Sequence, residues 1–328
     1  MPLDLPLDTE LGRGVARWGW WHLTRPFRES DSRTRCNVCY MAGSLYRSGI
    51  RLEKGVVDLC RLLGYVSERP LSAVEGLGPT EFQTFTSLSA VHGDGWGMAW
   101  ARPGSTRVEG ATSPVSAADD PSYFELAGQA LGSAGLVHLR WATDGLVVHS
   151  MNTHPFIDGA YALAHNGSIS PIAVLESLLS ERSRAALKGT TDSERYFRLV
   201  LQCIEETGAE RTGLARAVGL LHEHFPEASL NALFLTPTRL YAVHVNSGAA
   251  TPLDDLRELV GSDDAMPHGH ATAYFDMAYK VSPTAVHVIS SGLPDEGWTP
   301  VPADSILAID LSTRETEVLD PLALPSAQ

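Results

Sequence analysis

The sequence is poor in cysteine, with four in 328 residues. That excludes a disulfide scaffold and makes a reducing compartment, the cytoplasm, the expectation. Long apolar runs are also missing: none approaches the ~20 residues a spanning helix needs, so no helical membrane protein is expected. Positive charge is scarce, 25 Lys and Arg against 39 Asp and Glu, a net charge of −14. This balance argues against a nucleic-acid partner or an anionic membrane surface. What remains is ordinary for a globular chain, 44% hydrophobic and 20% charged. Its length fits one large domain or two small ones.

Charge and aromatics are unevenly placed. Residues 1–59 hold nine of the 25 basic residues and seven of the 39 acidic ones, leaving residues 60–328 more acidic than the whole. They also hold Trp18, Trp20 and Trp21, three of the seven tryptophans. The segment has neither sustained helical nor strand periodicity, and no basic stretch precedes an apolar core as in a signal peptide.

From Cys60 onward the patterning is regular. Leu59 to Val66, Gly97 to Ala101, Leu136 to Trp141 and Tyr161 to Ala164 read as strands. Gly76 to Ser89 reads as a loop with a helical turn. Asp119-Asp120-Pro121 opens a helix with Tyr123, Phe124, Leu126 and Leu131 as its apolar residues. Thr191-Asp192-Ser193-Glu194 opens another, with Phe197, Val200, Leu201 and Ile204 on one face, and Thr212 to Phe225 forms a third. Strands follow at Ala232–Leu235, Leu240–Val245, Ala285–Ile289 and Ile306–Ile309. No repeat or low-complexity linker divides residues 60–328. Strands, then paired helices, then strands predict one α+β layered sandwich rather than a doubly wound sheet.

Three polar clusters interrupt this pattern. In His138-Leu139-Arg140-Trp141-Ala142-Thr143-Asp144-Gly145, alternation puts His138 and Arg140 on one face at a strand end. A guanidinium there suits two parallel hydrogen bonds to a carboxylate, or an ordinary surface ion pair. His165-Asn166-Gly167 is a tight turn or an oxyanion hole, made by the Asn166 amide and the Gly167 N–H. Asp192 is part of a helix cap or a holder for an ammonium group. Together these groups describe a site for an α-amino acid with an acyl group further along its side chain. Cys60, where the regular patterning begins, is the candidate nucleophile; Cys203 lies mid-helix among apolar residues and reads as core. Cys36 and Cys39 form a lone C-x-x-C, while His222/His224 and His268/His270 read as surface pairs, so no metal site is expected.

These motifs resemble the class II glutamine amidotransferases of the N-terminal nucleophile hydrolase superfamily. The matching stretches are Cys60-Arg61-Leu62-Leu63-Gly64, His92-Gly93-Asp94-Gly95-Trp96-Gly97, His138 to Thr143, Asn152-Thr153-His154-Pro155-Phe156, His165-Asn166-Gly167 and Thr191 to Glu194. They stand in the family's order. The central motifs resemble the glutaminase domain of glucosamine-6-phosphate synthase. The first and last resemble stand-alone bacterial amidotransferases, a group related to the ergothioneine-pathway γ-glutamyl hydrolase. Asp144 departs from the synthase-type pattern, which has His there.

The resemblance implies a four-layer αββα sandwich over residues 60–328, with Cys60 as nucleophile and Asn166 and Gly167 as oxyanion hole. Arg140 would bind the α-carboxylate of glutamine, Asp192 its amine, and Trp141 and Thr143 would line the pocket. No metal or cofactor is implied; an ammonia-accepting partner protein is. Because Arg140 and Asp192 read only the glutamyl end, another γ-glutamyl amide is a second substrate reading. The segment Gly261–Tyr279, with Met266, His268, His270, Tyr274 and Phe275, is open to two readings, a leaving-group contact or a surface hairpin. A third reading is a non-catalytic, glutamine-binding regulator whose Cys60 is blocked.

In this superfamily the general base is the α-amine of the nucleophile itself. An α-amine near pKa ~7.7–8.0 is matched to a thiol near ~8.5. An internal Cys60 has only an amide nitrogen, so residues 1–59 are expected to be a propeptide or a misassigned start. Leu59 fits a TTG or CTG initiation codon, and Glu53-Lys54-Gly55, encoded GAR-AAR-GGN, resembles a ribosome-binding site upstream of it. The protein from its native host is expected to have an intact mass that begins at Cys60. A TTA codon at position 59, or CTN other than CTG, rules out initiation there; a mature mass retaining residues 1–59 rules out both routes.

Overall fold

A computed structural model of the chain describes residues 60–141 and 149–322. The expected boundary before Cys60, the Cys36/Cys39 pair and Thr143 lie outside the described residues. In chain order, strand β1 (Arg61–Leu71) leads to helices α1 (Ala73–Leu77) and α2 (Pro79–Ser87). Strands β2 (Trp96–Ala101) and β3 (Val108–Ser113), helix α3 (Pro121–Gln129) and strand β4 (Gly132–Leu139) follow. Next come β5 (Phe156–Asp158), β6 (Tyr161–Asn166), α4 (Ile172–Ser177), α5 (Glu181–Ala185), α6 (Asp192–Thr207) and α7 (Glu210–His224). The rest is β7 (Asn231–Leu235), β8 (Arg239–His244), α8 (Leu253–Val260), β9 (Met277–Val281), β10 (Ala285–Ser290), β11 (Thr299–Pro300), β12 (Ser305–Asp310) and β13 (Thr316–Leu319).

The strands form two sheets. The seven-stranded sheet has the order β11-β9-β10-β1-β4-β2-β3, and the six-stranded sheet β13-β12-β8-β7-β6-β5; every pairing is antiparallel. Strand alternation sorts their apolar residues into layers. Leu62 and Val66 of β1 meet Leu233 and Leu240 of the other sheet in a core between the sheets. Leu63 and Tyr65 of the same strand face outward and pack with Ala73, Phe82, Phe85 and Tyr123 from α1, α2 and α3. On the opposite side Phe197 and Val200 of α6 and Leu214 and Val218 of α7 cover Phe234 and Tyr241. The four layers are therefore αββα, as the sequence motifs imply.

The stretch expected to be a loop with one helical turn, Gly76–Ser89, is instead mostly helical. Ser72 caps α1 reciprocally with Glu75, and Pro79 occupies the first turn of α2, where its missing N–H costs nothing. Phe82 and Phe85, three apart on α2, supply its buried face. In α3, Tyr123 and Ala127 face the core; Phe124 and the following Leu131 are exposed. Among the described residues no helix is long and apolar enough to cross a membrane.

Helices α6 and α7 pack closely because a glycine lies between them. Thr191 accepts the Glu194 N–H to start α6, and Gly208 ends it in the left-handed region at φ 69°. A Cβ on Gly213 of α7 would stand 2.5 Å from the backbone of Ile204 in α6. Gly213→Ala is expected to lower stability by about 1–3 kcal/mol, seen as a lower denaturant midpoint. An unchanged midpoint would contradict this close approach.

Candidate active site

Cys60 immediately precedes β1, and its side chain is 1% exposed. Its backbone nitrogen donates to Asn166 Oδ1 at 3.0 Å, across from one sheet to the other, and its Sγ lies 4.0 Å from the Trp141 carbonyl oxygen. The first bond fixes which way the Asn166 amide faces. With Oδ1 occupied, Nδ2 points elsewhere, buried and without a hydrogen-bond partner. The Asn166 carbonyl accepts from Ser229 Oγ at 2.8 Å, which holds the β6 end against the chain leading into β7. Gly167 follows with its Cα pressed against Ser229; a Cβ there would collide with the Ser229 carbonyl oxygen.

Arg140 continues from the end of β4, one position past the pairing of Arg61 with Leu139 that sets β1 beside β4. Its backbone is pinned to the His92–Gly97 loop at both ends: Arg140 N–H donates to Gly95 O and Asp94 N–H to Arg140 O, each at 2.9 Å. The side chain is 2% exposed, yet Nη1 and Nη2 are buried with no acceptor among the described residues. Asp192, the first residue of α6, accepts the Ile169 N–H at 2.6 Å, which ties it to the loop beyond Gly167. Burial raises its carboxyl pKa above the ordinary value, although its backbone and Ser193 hydrogen bonds oppose that rise. Among the described residues no cationic side chain forms an ion pair with it.

Motif reading alone missed a chain of buried histidines beneath these groups. His138 Nε2 lies 3.0 Å from His154 Nδ1, which faces the His165 carbonyl oxygen at 3.1 Å. His165 Nε2 donates to Ser229 O at 2.8 Å, and its Nδ1 is 2.9 Å from Ser193 Oγ, beside Asp192. Burial pushes His138 down to about 3 and His154 well below its usual value, with neighbouring positive groups adding to the effect. Both rings are neutral near pH 7. The available signal was the alternation that sets His138 beside Arg140; the partners come from other strands.

Two sequence expectations need correction. His270 is not at the surface: it is fully buried, with Nε2 3.1 Å from His92 Nε2. Its neighbour His268 is exposed and pairs with Asp295. The Gly261–Tyr279 segment is not a surface hairpin either. Tyr274 and Phe275 are buried with Leu256, and Met266 and Trp141 pack against them. A new group also appears: one sulfur or nitrogen atom each from Cys60, His138 and His154 lie within 4.8 Å of one another.

Solved structures share this architecture. A glutamine aminotransferase class-II domain protein from Silicibacter pomeroyi superposes with a TM-score of 0.53 at 21% identity, covering 80% of this chain and 99% of that one. The glutamine phosphoribosylpyrophosphate amidotransferase of B. subtilis gives 0.55 at 14% identity, covering 81% and 50%. These likenesses show that the two-sheet sandwich is a fold shared with solved proteins. A family model described as "Glutamine amidotransferases class-II" matches residues 59–287, and the chain belongs to that family. Among curated relatives, the glutamine–fructose-6-phosphate aminotransferase of Thermococcus kodakarensis is 27% identical over 209 residues, covering 62% of this chain and 32% of its own length. That of Mycobacterium tuberculosis is 31% identical over 215 residues, covering 63% and 32%. The chain spans about a third of the length of these relatives.

Proposed function

We propose that this chain hydrolyses the γ-amide of glutamine through a Cys60 thioester, releasing ammonia and then glutamate. The observation that carries this reading is a set of buried polar groups around Cys60 whose bonding is incomplete. Arg140 has two donors without an acceptor, Asn166 has one, and Asp192 is a buried carboxyl with no ion-pair partner among the described residues. Bound glutamine completes all three. Its α-carboxylate meets Arg140, its ammonium meets Asp192, and the oxygen of its side-chain amide meets Asn166 Nδ2 and the Gly167 N–H.

The chemistry follows from that pose. The Cys60 α-amine, once exposed, takes the thiol proton, and sulfur attacks the amide carbon. Negative charge develops on the oxygen held by Asn166 and Gly167. The proton passes to the departing nitrogen as the C–N bond breaks, and water then cleaves the thioester. Burial leaves His138 and His154 too weakly basic at neutral pH to replace the amine. An ammonia acceptor belongs to a partner protein in this reading, and the cytoplasm, where thiols stay reduced, is the compartment that suits it.

The second reading, another γ-glutamyl amide, draws support from the Tyr274–Phe275 cluster against Trp141, whose carbonyl faces the thiol. That wall is suited to inspect the leaving group. A chain that keeps residues 1–59 has no amine at Cys60 and would bind glutamine without turning it over, as the regulatory reading requires.

Residues 60–328 expressed behind a removable Met are expected to release ammonia from glutamine, and a Cys60→Ala variant to release none. Equal rates would overturn the nucleophile assignment, and turnover of a different γ-glutamyl amide alone would favour the second reading. Asp192 generates a pH prediction. Its raised pKa leaves it protonated above the ordinary carboxylate range, and in that state it cannot hold an ammonium. The KM for glutamine should therefore fall as pH rises through this acid limb. Asp192→Asn should raise KM at neutral pH roughly 10–100-fold, equivalent to losing about 1.5–3 kcal/mol, and abolish that limb. A KM within twofold of the parent would contradict the ammonium role.

A further inference from the structure

We propose that Cys60, His138 and His154 bind one thiophilic metal ion, of the zinc or copper(I) class, and that the bound ion holds the nucleophile inactive. The inhibitory half rests on the glutaminase reading above; the binding half does not.

The three side chains are buried together, with their ligand atoms within 4.8 Å of one another. A tetrahedral zinc with Zn–S near 2.3 Å and Zn–N near 2.0–2.1 Å places neighbouring ligand atoms roughly 3.3–3.8 Å apart. The imidazole nitrogens His138 Nε2 and His154 Nδ1, 3.0 Å apart, already approach that spacing. The thiol lies within 4.8 Å of both, so it would have to close on them by about 1 Å at most. Thiolate with two imidazoles is a ligand set for zinc and copper rather than for magnesium or calcium.

Two further features fit. Among the described residues His138 Nδ1 is buried with no hydrogen-bond partner, so it can carry that ring's proton and leave Nε2 for a metal; the N–H shared across the 3.0 Å contact of the two rings moves to another ring nitrogen on binding. The ligands also sit on framework: Cys60 at the start of β1, His138 in β4 and His154 just before β5. Arg140 places positive charge beside His138. That penalises any cation and favours one that bonds covalently to sulfur, where the thiolate offsets part of its charge. On binding, Cys60 loses its thiol proton to water and no electron is transferred. The sulfur lone pair that would attack glutamine is then committed to the metal. A water or the Cys60 α-amine can fill the fourth position.

The test is cobalt(II) titrated into the full chain carrying Cys36→Ala and Cys39→Ala, which removes the competing C-x-x-C. A near-ultraviolet thiolate-to-cobalt charge-transfer band and intense visible bands are expected, displaced by zinc and indifferent to magnesium. Cys60→Ser, close to isosteric, should abolish the charge-transfer band. His138→Gln and His154→Gln, checked for folding by circular dichroism, should each weaken cobalt binding roughly tenfold or more. Absence of the band before Cys60 is changed overturns the site. So does its persistence in Cys60→Ser, or unchanged affinity in both folded histidine variants. In the hydrolytically active protein, zinc should suppress ammonia release and a chelator restore it. Zinc bound at Cys60 with undiminished turnover overturns the inhibitory half. A protein that shows the band but never hydrolyses glutamine supports the binding half while refuting the earlier reading.

Discussion

A buried guanidinium without an acceptor among the described residues is the constraint around which this site is arranged. Taking a charged group out of water costs several kcal/mol, and a protein partner normally offsets part of that. Arg140 is 2% exposed and its terminal nitrogens have no acceptor. The offset must come from apolar burial elsewhere, and the fold supplies it in the three cores: one between the sheets and one beneath each helical layer. Asn166 and Asp192 add further unmet demands at the same region. In the proposed reading, these demands of opposite sign would match the two charges and the carbonyl of bound glutamine, and stability given up at the site would be recovered on binding.

The histidine chain is the other half of this arrangement. A carboxylate at position 138 or 154 would face Arg140 and fill the proposed carboxylate site from within. A lysine would repel it. A neutral imidazole does neither, yet still supplies hydrogen bonds linking β4, the chain before β5, β6 and the start of α6. Their depressed basicity is what allows them to sit there.

Legibility in the sequence followed the range of the interactions. Helix α6 was readable because Thr191 caps it and its apolar residues recur at helical spacing; α7 and strands β7, β8, β10 and β12 were readable from dense apolar runs. Edge strands were not. Val108–Ser113 and Thr316–Leu319 are short, largely polar and mostly unburied, so nothing in their composition separates them from loops. Gly76, Gly78 and Pro79 masked α1 and α2, although the Ser72–Glu75 capping pair was present to be read. In the candidate site, Arg140, Asn166, Gly167 and Asp192 stood out as polar groups interrupting apolar patterns. The histidines did not, because each pairs with a residue remote in sequence: His138 with His154, His165 with Ser193, His92 with His270.

The bond from the Cys60 nitrogen to Asn166 Oδ1 has a consequence for the proposed maturation. A peptide N–H and a free amine both donate, so that bond persists whether or not a residue precedes Cys60. The Asn166 amide is therefore oriented before any upstream chain is lost. In the proposed removal of residues 1–59, arming Cys60 would be an acid–base event at a nitrogen that Asn166 already holds.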